Sequence, residues 1–361
     1  MNILNYIKKY GDKSFLEKEF TVVDNVLFAC LSYIDFEGVV SNDFHNKITM
    51  EIAAKKYFEN NSIKKEISAV RNALEILKYM MNTKRYKDIL IYNYQYVSNR
   101  NCQFGAVSFD LDDNTTYISY EGTDDLISGW REDCLIAYNK RVLAQDLAIK
   151  YLNRFSFKRK KLIIGGHSKG GNLSIMASMY TNFLVRRNII SIYSNDGLGI
   201  RKEELESNRY LSIKDRVTKI IPNYSIVGHL LYSDNNYKII KSTKKSQASH
   251  NPSTWVVNDD HFEEAEISRF ATVFKKTVDV WSTKYSIDSK LKLVDSVFYI
   301  CDSNSITSLK QIKVKFLVKM IMDSRLIDND VKLMFKDFYK QILSINKQYK
   351  KGDKSEDLDI I

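Results

Sequence analysis

One short stretch limits the fold of this chain more than any other: Leu162-Ile163-Ile164-Gly165-Gly166-His167-Ser168-Lys169-Gly170-Gly171-Asn172-Leu173. Four apolar or small residues read as a buried strand, the glycines as a tight turn, and the residues after Gly171 as a helix. A serine between small residues at positions −2 and +2 suits a strand-to-helix elbow. There the two backbones nearly touch, so Gly166 and Gly170 leave room that no side chain could share. The chain holds only 13 glycines in 361 residues, which makes a chance G-x-S-x-G rare. The spacing of a phosphate-binding G-x-x-x-x-G-K-[ST] loop is absent. Ser168 is therefore the candidate nucleophile, with the helix N-terminus placing partial positive charge beside it.

A serine hydroxyl needs a base to take its proton and an acid to orient that base. Of the 5 histidines, His229, His250 and His261 follow Ser168. His250 lies in the loop Gln247-Ala248-Ser249-His250-Asn251-Pro252-Ser253-Thr254-Trp255 after the last expected strand, and it is the candidate base. His229 sits in an apolar run and reads as a packed residue. His261 reads as a surface residue opening the C-terminal helix. Asp196, in Ser194-Asn195-Asp196-Gly197, follows the strand at Ile189–Tyr193 and is the candidate acid; Asp-Gly is also an ordinary turn pair. The next loop, Pro222-Asn223-Tyr224-Ser225, has no carboxylate, and Asp259 and Asp260 stand in reserve. For the oxyanion, the expected donors are the backbone N–H of Lys169 and that of Thr123, which follows the strand Thr116–Tyr120.

The first hundred residues read mainly helical, with apolar residues at helical spacing over Phe15–Tyr33, Lys47–Glu59 and Ser62–Met81. Phe104–Asp110 and Thr116–Tyr120 read as a hairpin. A helix at Val142–Phe155, the elbow strand and helix, and strands at Ile189–Tyr193, Val217–Ile221 and Tyr237–Ile240 follow. Strands alternating with helices imply a mostly parallel sheet in an α/β fold. The expected division is a helical N-terminal part (1–100), a core (101–260), a C-terminal helical extension (261–346) and a charged tail (347–361).

The net charge of +11 raises nucleic acid as a partner, but the lysines are spread along the chain without a nucleic-acid motif. No nucleic-acid role is expected; peripheral contact with anionic membrane is compatible with such a surface. Neither a spanning segment nor a signal core is apparent, and the 4 separated cysteines suggest neither zinc nor a disulfide framework. A cytoplasmic location is expected.

Several segments together resemble the Mbeg-like family of bacterial α/β-hydrolases over about residues 1–260. They are Gly11–Phe15 through Leu31–Phe36, Tyr120-Glu121-Gly122-Thr123-Asp124 to Gly129–Asp133, Gly166–Leu173, Asn195-Asp196-Gly197, Ser225-Ile226-Val227-Gly228 and His250–Trp255. That family looks like a relative of the fungal-type (class 3) lipases, on the Gly-Thr-Asp segment with Trp130 and Asp133 downstream and on the Gly-His-Ser elbow. The resemblance implies Ser168 as nucleophile, His250 as base and Thr123 as oxyanion residue. Glu121 departs from the pattern, standing where an arginine is usual. Ser225 stands where the lipases carry their aspartate, so Asp196 would take the alternative acid position of pancreatic-type lipases. The expectation is an α/β-hydrolase fold carrying a serine esterase or lipase-like activity on an acyl ester or lipid, with no cofactor. The competing expectation is a non-catalytic scaffold of the same fold that binds a ligand or partner. Oligomeric state is not legible.

Overall fold

A computed structural model describes residues 1–60, 68–124, 127–308 and 314–350. Along the chain run α1 (Ile3–Tyr10), α2 (Val22–Leu31), β1 (Ile48–Thr49), α3 (Met50–Asn60), α4 (Ser68–Met80), β2 (Leu90–Asn99), β3 (Cys102–Asp110) and β4 (Thr115–Tyr120). Then come α5 (Ile127–Ile136), α6 (Leu143–Asn153), β5 (Lys161–His167), α7 (Lys169–Tyr180), α8 (Phe183–Arg186) and β6 (Ile189–Asn195). After α9 (Lys202–Leu205) and α10 (Asn208–Leu211) follow β7 (Val217–Pro222), β8 (Lys238–Ile240), β9 (Val257–Asn258) and β10 (His261–Phe262). The last helices are α11 (Arg269–Thr283), α12 (Ile287–Ser303), α13 (Val314–Asp323) and α14 (Asn329–Lys350).

Strands β1 to β8 form one sheet in sequence order. Pairing is antiparallel from β1 to β4 and parallel from β4 to β8. Successive strand residues face opposite sides. Gly165 accordingly abuts Asn25 of α2, while Gly166 abuts Gly170 of α7. Helices thus cover both faces at β5, and that strand, buried from Leu162 onward, carries its apolar residues without alternation.

Helix α2 is apolar nearly all round and buried from Val23 to Leu31, as expected of a helix enclosed by other elements. Thr21 caps it, accepting from the backbone of Val23 and Asp24, while Asp24 accepts from the Thr21 N–H. Phe28 packs against Phe109, Tyr117 and Tyr86, all fully buried. Each such side chain contributes about 1.5–3 kcal/mol by leaving water.

Two compact units divide the chain. The first holds Met1–Asp124 and Leu143–Glu266, so the N-terminal helices and the sheet form one body. The second holds the described residues of Asp125–Val142 and Ile267–Ile361. Within it Ile127 of α5 packs with Val294, Phe298 and Cys301 of α12, and Trp281 of α11 donates to the Met334 carbonyl at 3.1 Å.

Several details differ from the sequence reading. Strands β1 and β2 lie within the stretch read as helical, and α5, read as part of the core, belongs to the second unit. Residues 261–262 are strand, and the following helices begin at Arg269. Helix α14 continues to Lys350, past the expected start of the tail. Residues 62–67 of the expected Ser62–Met81 helix and 351–361 of the tail lie outside the described residues. No described helix is long and apolar enough to cross a membrane.

Candidate active site

Ser168 stands between β5 and α7 with φ 58° and ψ −129°, a region that side chains other than glycine avoid. Holding it there costs roughly 1–3 kcal/mol and needs support from both sides. Its N–H donates to the Asn195 carbonyl at 3.1 Å, and its carbonyl accepts from the Gly171 N–H at 2.9 Å. Asn195 in turn donates to the Gly166 carbonyl at 3.2 Å and accepts from Asn25 Nδ2 at 2.8 Å, which ties the elbow to α2. A Cβ on Gly170 would collide with the Tyr120 carbonyl, and one on Gly166 with the Gly170 backbone. The two glycines are what let strand and helix meet.

His250 and Asp196 come together although 54 positions separate them: His250 Nδ1 lies 2.6 Å from Asp196 Oδ2. A carboxylate only accepts, so Nδ1 carries a proton, and in the neutral ring Nε2 has the lone pair. Asp196 is fully buried at φ 47° at the end of β6. Its Oδ2 also accepts from Ser225 Oγ at 2.6 Å, and its Oδ1 from the Gly228 N–H at 3.0 Å. Ser225, at the position where the resemblance puts an aspartate, thus serves the aspartate on the preceding strand. The His250 loop is pinned by fully buried Trp255, whose Nε1 donates to the Ser249 carbonyl at 2.9 Å. No hydrogen bond joins Ser168 Oγ to His250 among the described residues; such bonds are often long without substrate and tighten when it binds.

His167, not singled out from sequence, links these pieces. Its Nε2 donates to the His250 carbonyl at 2.8 Å, which leaves Nδ1 to accept from Tyr33 OH at 2.9 Å. Burial first, then the neighbouring His250, hold its imidazole down at about 3, so it stays neutral and keeps this tautomer. The residue before the serine thereby sets the height of the loop that carries His250.

Thr123 follows β4 on the loop Glu121–Asp124, whose Gly122 packs so closely that a Cβ there would lie 2.5 Å from the His167 carbonyl. Lys169 is fully buried, and its Nζ donates to the Gln103 carbonyl at 2.8 Å. Glu121 is buried too, and its Oε2 has no hydrogen-bond partner among the described residues. Burial first, then repulsion from Asp124, push its carboxyl up to about 8, against the attraction of Lys169. At Glu121 the folded chain therefore binds more of a proton than the unfolded one between pH about 4.5 and 8. The contribution of this carboxyl to stability falls as pH rises through that window and levels off above it. Glu121→Gln is expected to remove this fall, worth on the order of 4–5 kcal/mol. Melting curves at pH 5 and pH 9 check it: the variant gains on the wild type at the higher pH, and an equal gap at both would contradict the assignment.

The alternative site residues lie elsewhere. His229 is buried in a short turn after β7, edge-on to Tyr237. His261 is exposed on β10 rather than at a helix start, with Nδ1 3.1 Å from Asp260. Asp259 and Asp260 pair with Lys9 and Lys18. Trp130 and Asp133 fall on α5 in the second unit.

An eight-stranded, mostly parallel sheet with helices on both faces and a serine-bearing strand-to-helix elbow defines an α/β-hydrolase fold. The Mbeg1-like family profile matches residues 80–299, and the chain belongs to that family. The match begins at Met80, the last residue of α4, and runs past residue 260, where the sequence resemblance ended. Among solved structures the chain is similar to M37 lipase, at 16% identity and TM-score 0.31, over 56% of this chain and 68% of that one. It is also similar to the extracellular lipase LipA from Serratia marcescens, at 13% identity and TM-score 0.33, over 63% of this chain and 41% of that one. No curated protein matches the chain in sequence.

Proposed function

We propose that the chain is a serine hydrolase that cleaves acyl esters, with lipid esters as the natural class, through Ser168, His250 and Asp196. The observation that carries this reading is the conjunction of two costly features: a serine held at positive φ on the elbow, and a histidine whose Nδ1 is engaged by a buried aspartate. Strain and buried charge of this kind gather at sites where they serve chemistry.

In the proposed reaction His250 Nε2 takes the Ser168 proton as Oγ attacks the acyl carbonyl. The N–H groups of Thr123 and Lys169 receive the oxyanion, with the α7 N-terminus adding positive potential. Collapse breaks the ester bond, and the leaving alkoxide takes the proton from His250. A water molecule, deprotonated by His250, then attacks the acyl-enzyme, and the carboxylic acid departs as Ser168 regains its proton. Asp196 stays ionised and stabilises the transient imidazolium.

Turnover of p-nitrophenyl esters from acetate to palmitate tests this. The wild type is expected to hydrolyse part of the series, with a preferred chain length, and Ser168→Ala to lose at least about 10⁴-fold in kcat. A folded wild type inert toward every ester would overturn the proposal.

A further inference from the structure

Gln103, on β3, touches both halves of the candidate oxyanion site and is 1% exposed. Its Nε2 donates to the Gly122 carbonyl at 3.2 Å, and its Oε1 accepts from the Asp124 N–H at 3.2 Å. These contacts bracket Thr123. Its own carbonyl accepts from Lys169 Nζ at 2.8 Å, and its Oε1 from the same ammonium at 3.3 Å. One residue therefore ties the Thr123 loop to the residue that follows Ser168.

The Gly122 carbonyl and the Thr123 N–H belong to one planar trans peptide and point in opposite directions. Fixing the carbonyl toward Gln103 consequently fixes the N–H away from it. Without that bond the peptide can rotate about its flanking dihedrals and turn its carbonyl where its N–H had been. A donor lost in this way leaves the oxyanion half-bound. On the other side, a buried ammonium is costly unless its protons find acceptors. The Gln103 oxygens supply two acceptors, and satisfying them holds Lys169 in place at the head of α7.

We propose that Gln103 is a positioning residue for the oxyanion hole, orienting the Gly122–Thr123 peptide and anchoring Lys169 so that both backbone N–H groups converge on one point. This rests on the reading of Ser168 as nucleophile. The substitution that separates positioning from packing is Gln103→Glu. It keeps the acceptors for Lys169 Nζ and the Asp124 N–H but loses the donor to the Gly122 carbonyl.

The test measures four quantities on wild type, Gln103→Glu and Gln103→Leu: the rate of fluorophosphonate labelling at Ser168, the labelled fraction at completion, the near-ultraviolet circular dichroism spectrum, and the melting temperature. Gln103→Glu is expected to label about 100-fold more slowly, the effect of one lost oxyanion donor. It should still reach the wild-type labelled fraction while keeping a native near-ultraviolet circular dichroism spectrum. Gln103→Leu is expected to label as slowly and to melt lower. Labelling of folded Gln103→Glu at the wild-type rate would sink the positioning role while leaving Ser168 as nucleophile. A wild type that never labels would instead remove the nucleophile, and the role of Gln103 with it.

Discussion

Asp196→Asn is expected to lower ester turnover by about 10⁴-fold without unfolding the chain. An asparagine fills the same space at the end of β6; its oxygen can still accept from the Gly228 N–H, while its amide nitrogen, at the Oδ2 position, can donate to Ser225 Oγ. It does not hold a negative charge against the His250 ring, and its amide group can face Nδ1 as a donor. His250 then adopts the tautomer with the proton on Nε2, the atom that has to take the serine proton. Kinetics alongside near-ultraviolet circular dichroism check this: native-like packing with kcat collapsed is the expected pair. A loss under tenfold would mean that another carboxylate orients His250. The reserves, Asp259 and Asp260, are already paired with Lys9 and Lys18.

Arg85→Met is expected to cost about 3–5 kcal/mol of stability, the usual effect of orphaning a buried charge. Arg85 and Asp24 are fully buried as side chains, with Nη2 2.7 Å from Oδ2. The same guanidinium donates to the carbonyls of Lys13, Ser14, Lys18 and Glu19, so it also holds the loop between α1 and α2. Asp24 accepts from Tyr6, Thr21 and Tyr86. Methionine fills much of the volume and leaves the carboxylate without its cation. Urea unfolding should show the loss as a lower midpoint, and a second substitution, Asp24→Leu, should recover part of it because the orphaned charge is gone. A single-variant loss below about 1 kcal/mol would contradict the central place given to this pair.

The elbow was legible because everything that defines it is local. Apolar strand residues, glycines on either side of Ser168 and a helix start are consecutive in sequence. The sheet was legible wherever strands are short and apolar, as at β5, β6 and β7. Strand β2 was not, because Asn93 adopts φ 56° where the register slips between Tyr92 and Gln95, and the alternation of an ordinary strand is lost. Helix α5 mixes Arg131, Glu132 and Asp133 with Ile127, Trp130 and Leu135 and carries Gly129 in its first turn, so no clear apolar stripe stands out.

His250 and Asp196 could be chosen by position because few histidines follow Ser168 and the later loop lacks a carboxylate. Gln103 and His167 had no comparable signal. What they do depends on partners 19 to 134 positions away, and such contacts exist only once the sheet has formed.

The account turns on whether Ser168 is an activated nucleophile. The most direct measurement is peptide-resolved mass spectrometry after exposure to a fluorophosphonate, on wild type and His250→Ala. The expected result is one phosphonylated residue, Ser168, in the wild type, with labelling of folded His250→Ala slowed by at least about 10³-fold. A folded wild type with Ser168 unmodified, while a known serine hydrolase labels in the same tube, would contradict the account and leave the fold as a binding scaffold.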